Sequence, residues 1–134
     1  MSQQNVALVQ RGAEAWNRGD LDTVLEGAHP NIEITPMIPQ LVEGGDSVYR
    51  GLSGVRRFWE DWRIAWDFRF GEVDLRDLGE TVLLISHVSV TARSTGLDLD
   101  TPMAAIFSFE DGRIVRMVSY LDAAHALEAA GLSE

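Results

Sequence analysis

The sequence predicts an α+β domain in which a few helices pack on one curved, mostly antiparallel sheet and close a single small-molecule-sized pocket. Three observations carry that expectation. Two segments of the first half place apolar residues at helical spacing, with one short alternating stretch between them. From Phe68 onward two-residue alternation dominates. The chain of 134 residues, 46% apolar and 24% charged, is long enough to bury one core and not two, so residues 1–134 form a single domain.

Taken in order, residues 6–18 set Val6, Val9, Ala13 and Trp16 on one helical stripe, and Gly19 stops that helix. Asp20 caps a second, short helix carrying Leu21, Val24, Leu25 and Ala28, which His29-Pro30 ends. Residues 31–38 alternate Ile32 and Ile34 with Glu33 and Thr35 as a strand, until Pro36 and Pro39 intervene. Residues 40–51 are irregular, with a mobile tip at Gly44-Gly45-Asp46. A stronger helix starts at Ser53 and carries Val55, Phe58, Trp59, Trp62 and Trp66 on one side. Phe68 and Phe70 then alternate in one phase and Val73 and Leu75 in the other, which predicts a β-bulge at Gly71. Residues 81–93, 98–109 and 113–122 read as strands. Glu110-Asp111-Gly112 forms a three-residue hairpin loop between the last two, and a short helix over 123–130 follows.

Composition narrows the function classes. Twenty-one acids against eleven bases give a formal charge of −10, a field that repels phosphate backbones and anionic lipid. Nucleic acid and membrane surfaces are therefore not expected partners. Every base is arginine, so no lysine is present for Schiff-base chemistry. The absence of cysteine removes disulfides and thiolates, and with no long apolar stretch and a polar start the chain reads as cytoplasmic.

The order of elements, together with Ala15-Trp16-Asn17-Arg18-Gly19-Asp20, Tyr49-Arg50-Gly51 leading into Gly54-Val55-Arg56-Arg57-Phe58-Trp59, and Phe109-Glu110-Asp111-Gly112-Arg113-Ile114-Val115, resembles the SnoaL-like branch of the nuclear transport factor 2-like superfamily. These residues mark turns, caps and packing, and the resemblance spans nearly the whole chain. It implies a cystatin-like cone of curved sheet with helices closing a pocket. The superfamily includes ketosteroid isomerases, polyketide cyclases, epoxide hydrolases, dehydratases and binding proteins, among which fold does not choose. The isomerases' base, oxyanion tyrosine and second aspartate match Thr35, Gly12 and Ala105, so all three are absent; Ala105 also removes the cyclases' acid. In the limonene-type epoxide hydrolases' aspartate–arginine–aspartate trio, the last-strand aspartate matches Ser119 and the other two fall near His87 and Ser89, and Glu33 replaces a tyrosine.

Hairpin parity puts Met103, Ala105 and Phe107 on one face with Val115, Met117, Ser119 and Leu121, and Ile106, Ile114, Val118 and Tyr120 on the other. On the long strand, Leu83, Ile85, His87 and Ser89 are assigned to the interior and Val82, Leu84, Val88 and Val90 to the outside. The expected pocket is apolar, with Thr35, Trp59, Trp62, Ser89, Met103, Ala105, Phe107, Met117 and Ser119 as ligand-binding candidates for a small lipophilic molecule. The alternative is a cofactor-independent isomerase, cyclase, dehydratase or epoxide hydrolase with His87 or Glu33 as acid–base; beside it stands a hydrogen-bonded structural histidine and a solvent-facing edge carboxylate. Trp59 and Trp62 at that spacing are also core residues. His29, His87 and His125 lack metal-ligand spacing, and no phosphate-cradling glycine motif occurs, so neither metal nor cofactor is expected. The apolar outer face predicts a homodimer, sheet against sheet.

Overall fold

The stripe of Val9, Ala13 and Trp16 is buried on helix α1 (Ser2–Arg18). At its end Gly19 adopts a positive φ of 79°. The Gly19 amide then donates to the Trp16 carbonyl and the Asp20 amide to the Ala15 carbonyl, at 3.3 and 2.8 Å, the two bonds of a Schellman stop. Asp20 caps α2 (Leu21–Glu26), accepting from the Thr23 amide at 3.1 Å and the Thr23 hydroxyl at 2.7 Å. Those bonds, the hydroxyl's foremost, hold its carboxyl below the ordinary aspartate range. The structure, a computed structural model, describes residues 2–36, 48–92, 95–129 and 131.

His29-Pro30 does not end a helix, because the chain is already in strand β1 (Ala28–Thr35). Parallel pairing with the last strand sets Ala28 opposite Ile114, whose amide donates to the Gly27 carbonyl at 2.9 Å. The ladder is irregular between Ala28 and Glu33, and an exposed proline that lacks an amide is tolerated there. The expected tip at Gly44-Gly45-Asp46 lies outside the described residues. Beyond it, Tyr49–Arg50 forms a short strand β2, antiparallel to β1, which the sequence did not announce.

The third helix starts at Gly51, before Ser53, and is two pieces: α3 (Gly51–Phe58) and a π-helical segment, Trp59–Ala65. The buried side of the π segment carries Trp59, Trp62 and Arg63. Arg63 completes the C-terminus of α1, its Nε donating to the Trp16 carbonyl at 2.8 Å and a terminal nitrogen to the Asn17 carbonyl at 3.1 Å. It also pairs with Asp67 at 3.3 Å and lies 5.7 Å from the centre of the Trp59 ring. On the other side of α1, the Trp16 indole donates to the Phe68 carbonyl at 2.7 Å. The Asn17 amide exchanges two bonds with the backbone of Phe70, at 2.8 and 2.9 Å. The tryptophan and asparagine of the first motif therefore fasten helix to sheet.

Four strands follow: β3 (Arg69–Asp77), β4 (Thr81–Ala92), β5 (Leu97–Glu110) and β6 (Arg113–Tyr120), then helix α4 (Ala123–Ala129). The sheet order is β2-β1-β6-β5-β4-β3, antiparallel except for β1 with β6. The bulge expected at Gly71 is present, since pairing slips between Phe70 opposite Val88 and Val73 opposite Ser86. A side chain at Gly71 would put a Cβ 2.7 Å from the His87 carbonyl oxygen, so only glycine fits that approach. The slip brings Phe70, Val73 and Leu75 onto the same core.

Two register expectations are corrected. The β5–β6 loop has two residues, not three: Glu110 pairs with Arg113, and Asp111 and Gly112 take φ of 55° and 74°, both left-handed as a tight hairpin turn requires. An irregularity then places Ile114 opposite Phe109 and Arg116 opposite Ser108, so Val115 is the extra residue. Beyond it Phe107 faces Met117 and Ala105 faces Ser119, which restores the expected parity, while Ile114 turns to the concave side.

The long strand is the larger correction. Leu84 pairs with Ala105 and Val82 with Phe107, so Val82, Leu84, Val88 and Val90 point into the main core. Leu83 and Ile85 join Ala104, Ile106 and Tyr120 in a second cluster, beneath Ala126 of α4, and His87 and Ser89 are exposed. Residues 82–85 are apolar on both faces, so alternation carried no information about which face was inward. No helix among the described residues is long and apolar enough to cross a membrane.

Candidate functional site

A cavity lies between the concave face of the sheet and the helices. Its wall is built from α1 (Val9, Ala13, Trp16), α2 (Val24), β1 (Ile32, Ile34), α3 and the π segment (Phe58, Trp62), and the sheet (Leu84, Met103, Phe107, Met117). About 100 Å³ of it is open to the centre of a water molecule, the order of an apolar cavity of ~150 Å³ that takes benzene. Exposed Arg11 and half-buried Leu8, Gly12, Thr23 and Gly27 border it, so it meets solvent between α1 and α2. The Thr23 hydroxyl is engaged with Asp20.

Two residues on the buried part of the wall carry a polar group. Ser119 is 8% exposed, and its hydroxyl has no hydrogen-bond partner among the described residues. The Trp62 Nε1–H is buried and has no partner either. A buried donor left unpaired costs about 1–3 kcal/mol, and buried indoles usually find an acceptor, as Trp16 does. No carboxylate or imidazole lies on the wall among the described residues.

The structure brings five of the candidate ligand-binding residues to the cavity: Trp62, Met103, Phe107, Met117 and Ser119. Ala105 is in the core opposite Ser119 but does not reach the wall. Trp59 packs edge-on against Trp16, with ring centres 5.2 Å apart, and is core. Thr35 is on the side of β1 away from Ile32 and Ile34. Glu33 shares that outward side, exposed and 3.5 Å from the Arg50 guanidinium. His87 and Ser89 lie on the outer face of β4 because of its reversed parity. The two acid–base candidates thus do not converge on the cavity. The α1 and α2 contributors were missed as ligand contacts although their helical stripe was legible, because periodicity separates buried from exposed and not core from cavity wall.

His29, Glu110 and Asp111 bring candidate ligand atoms within 4.8 Å of one another at the hairpin tip. The Asn31 amide donates to His29 Nδ1 at 3.0 Å, which fixes the neutral ring's proton on Nε2. Nε2, 3.6 Å from Asp111, therefore offers a proton and not the lone pair a metal needs. His125 is exposed, its Nδ1 2.7 Å from Asp122 Oδ1, which also accepts the His125 amide. These bonds, the amide's foremost, hold the Asp122 carboxyl below its ordinary range.

A family model described as the SnoaL-like domain matches residues 9–117. Among solved structures, an NTF2-like protein of unknown function from Burkholderia pseudomallei is similar, with a TM-score of 0.77 at 24% identity, over 93% of this chain and 95% of that one. So is a candidate polyketide cyclase from Xanthomonas campestris, with a TM-score of 0.76 at 21% identity, over 95% and 96%. TerC, co-crystallised with polyporic acid, gives a TM-score of 0.75 at 19% identity, over 93% and 96%. At such identities the likeness speaks to fold alone. No curated protein matches.

Proposed function

We propose, from the premise that this chain belongs to the SnoaL-like domain family, that its apolar chamber holds a small lipophilic molecule. The observation that carries this reading is the character of the wall: apolar side chains on every side, and no carboxylate or imidazole among the described residues. Acid–base chemistry by His87 or Glu33 is disfavoured because both side chains are exposed and neither lines the cavity. A fold relative crystallised with an organic ligand adds support of a general kind.

Thermal unfolding tests it. One-ring and two-ring hydrophobes are expected to raise the melting temperature of the wild type by a few degrees when well above their dissociation constants. Ala13→Phe, which fills the chamber from α1, is expected to abolish the shift, and His87→Ala and Glu33→Gln to keep it. A shift that survives Ala13→Phe, or none with any hydrophobe, would sink the proposal.

We also propose that two copies pair through the outer sheet face. Its apolar area is smaller than expected, because five of the eight residues of the outward set, Ile114 among them, turn inward and α4 covers Leu83 and Ala104. Ile85, Ile106, Val118 and Tyr120 remain only half-buried beside that helix. Light scattering at micromolar concentration is expected to give twice the chain mass; a monomeric mass refutes the pairing.

A further inference from the structure

We infer that Trp62 is the polar anchor of the chamber and that the ligand is a neutral hydrophobe bearing an acceptor oxygen, such as a ketone or ester carbonyl; this rests on the reading of the chamber as a ligand site. Among the described residues, Trp62 Nε1–H is the side-chain nitrogen or oxygen that is wholly shielded from solvent and makes no hydrogen bond. It belongs to a residue of the cavity wall, 2% exposed, on the π segment. The other indole on that wall, Trp16, spends its N–H on the Phe68 carbonyl. The aromatic neighbours of the Trp62 ring among the described residues are Phe58 and Phe68, 6.3 and 6.2 Å away centre to centre, whose rings offer no oxygen. π-Helical turns recur at functional sites, where the wider turn re-aims a side chain.

The chemistry of the anchor sets the ligand class. An indole N–H donates and never accepts, so the ligand must supply the lone pair. The donor is already stripped of water, so a carbonyl that meets it gains a bond at a group that was unpaired, whereas a hydrocarbon leaves it so. A carboxylate would satisfy the donor but would leave water for an apolar wall in a chain of net charge −10, where the one wall cation among the described residues, Arg11, is out at the solvent edge. Ser119 lies on the sheet side and is free to donate to the same ligand or accept from it.

Indane and 1-indanone are matched probes that differ by one carbonyl, and indane-1-carboxylate adds the charge. Dissociation constants for wild type and Trp62→Phe decide the matter. The preference for indanone over indane is expected to fall about five- to tenfold in Trp62→Phe, the worth of one hydrogen bond, while indane affinity changes little. In the wild type, the Trp62 indole N–H proton resonance is expected to move downfield with indanone and not with indane, a readout that needs no variant to fold. If both probes bind and the preference survives Trp62→Phe, or the indole proton responds alike to both, the anchor is refuted and the chamber reading stands. If the carboxylate binds tightest, the neutral class is refuted. If no probe binds, the chamber reading falls and this inference with it.

Discussion

At the scale of single residues, the chain is economical with buried polarity. Arg63 is a cation 8% exposed, yet it bonds two terminal carbonyls of α1, pairs with Asp67 and lies over Trp59. Replacing it with methionine keeps the bulk and strips those partners together, depriving the Asn17 carbonyl of the guanidinium donor and leaving the Trp16 carbonyl with the longer Gly19 amide bond. The expected loss is about 3 kcal/mol, read as a fall in the urea midpoint with unchanged m-value. Arg63 was invisible as a structural residue in the sequence, where it reads as one more charge on a helix; its partners lie 46 and 47 positions away. Trp16 and Asn17 were more legible, as members of a motif of packing and capping, although their bonds to Phe68 and Phe70 are equally long-range. His87 and Glu33 do not line the cavity, for different reasons. Glu33 sits on the outward side of β1, the solvent-facing reading it was balanced against, while the inward placing of His87 depended on the register of β4.

Elements with one apolar face were legible in the sequence, and the element with two was not. The stripe of α1, the caps at Gly19 and Asp20, and the starts of β4 and α4 follow from local chemistry. The strands β5 and β6 kept their parity because a turn ties them, even though the turn was a residue shorter and an irregularity put the count right. β4 has no such tie to a polar face, and its inner and outer rows could be exchanged without any violation in sequence. β1 began earlier than expected because its partner, β6, is remote in sequence. The bulge at Gly71 was readable as a phase change, and it can be tested as one. Gly71→Val must push a Cβ away from the His87 carbonyl, and a loss of about 1–3 kcal/mol in thermal or chemical unfolding is expected. A neutral outcome would mean that the β3 and β4 backbones part freely at the slip.

For the whole molecule, the cone follows from where the parallel pair sits. β1 lies between β2 and β6, so the first strand of the chain is seated beside the last one. The helices α1 and α2 precede it, and with it they form the side of the chamber that meets solvent. The existence of an apolar chamber was legible because family resemblance and helical stripes pointed the same way. The orphan donor of Trp62 was not, since that residue stands on a π turn that no propensity announces.

That seating has a consequence in time. During synthesis the N-terminal strand emerges long before residues 113–120, the partner that joins it, among the described residues, to the rest of the sheet, so β1 and β2 must wait as a detached pair. The apolar faces of α1 and β1 stay open through that interval, held at most by contacts with the middle of the chain. Closing a loop of such length is a late, entropically expensive step. The chamber is therefore the last part of the molecule to come into being, and whatever hastens β6 also shortens the period in which its lining is exposed to aggregation.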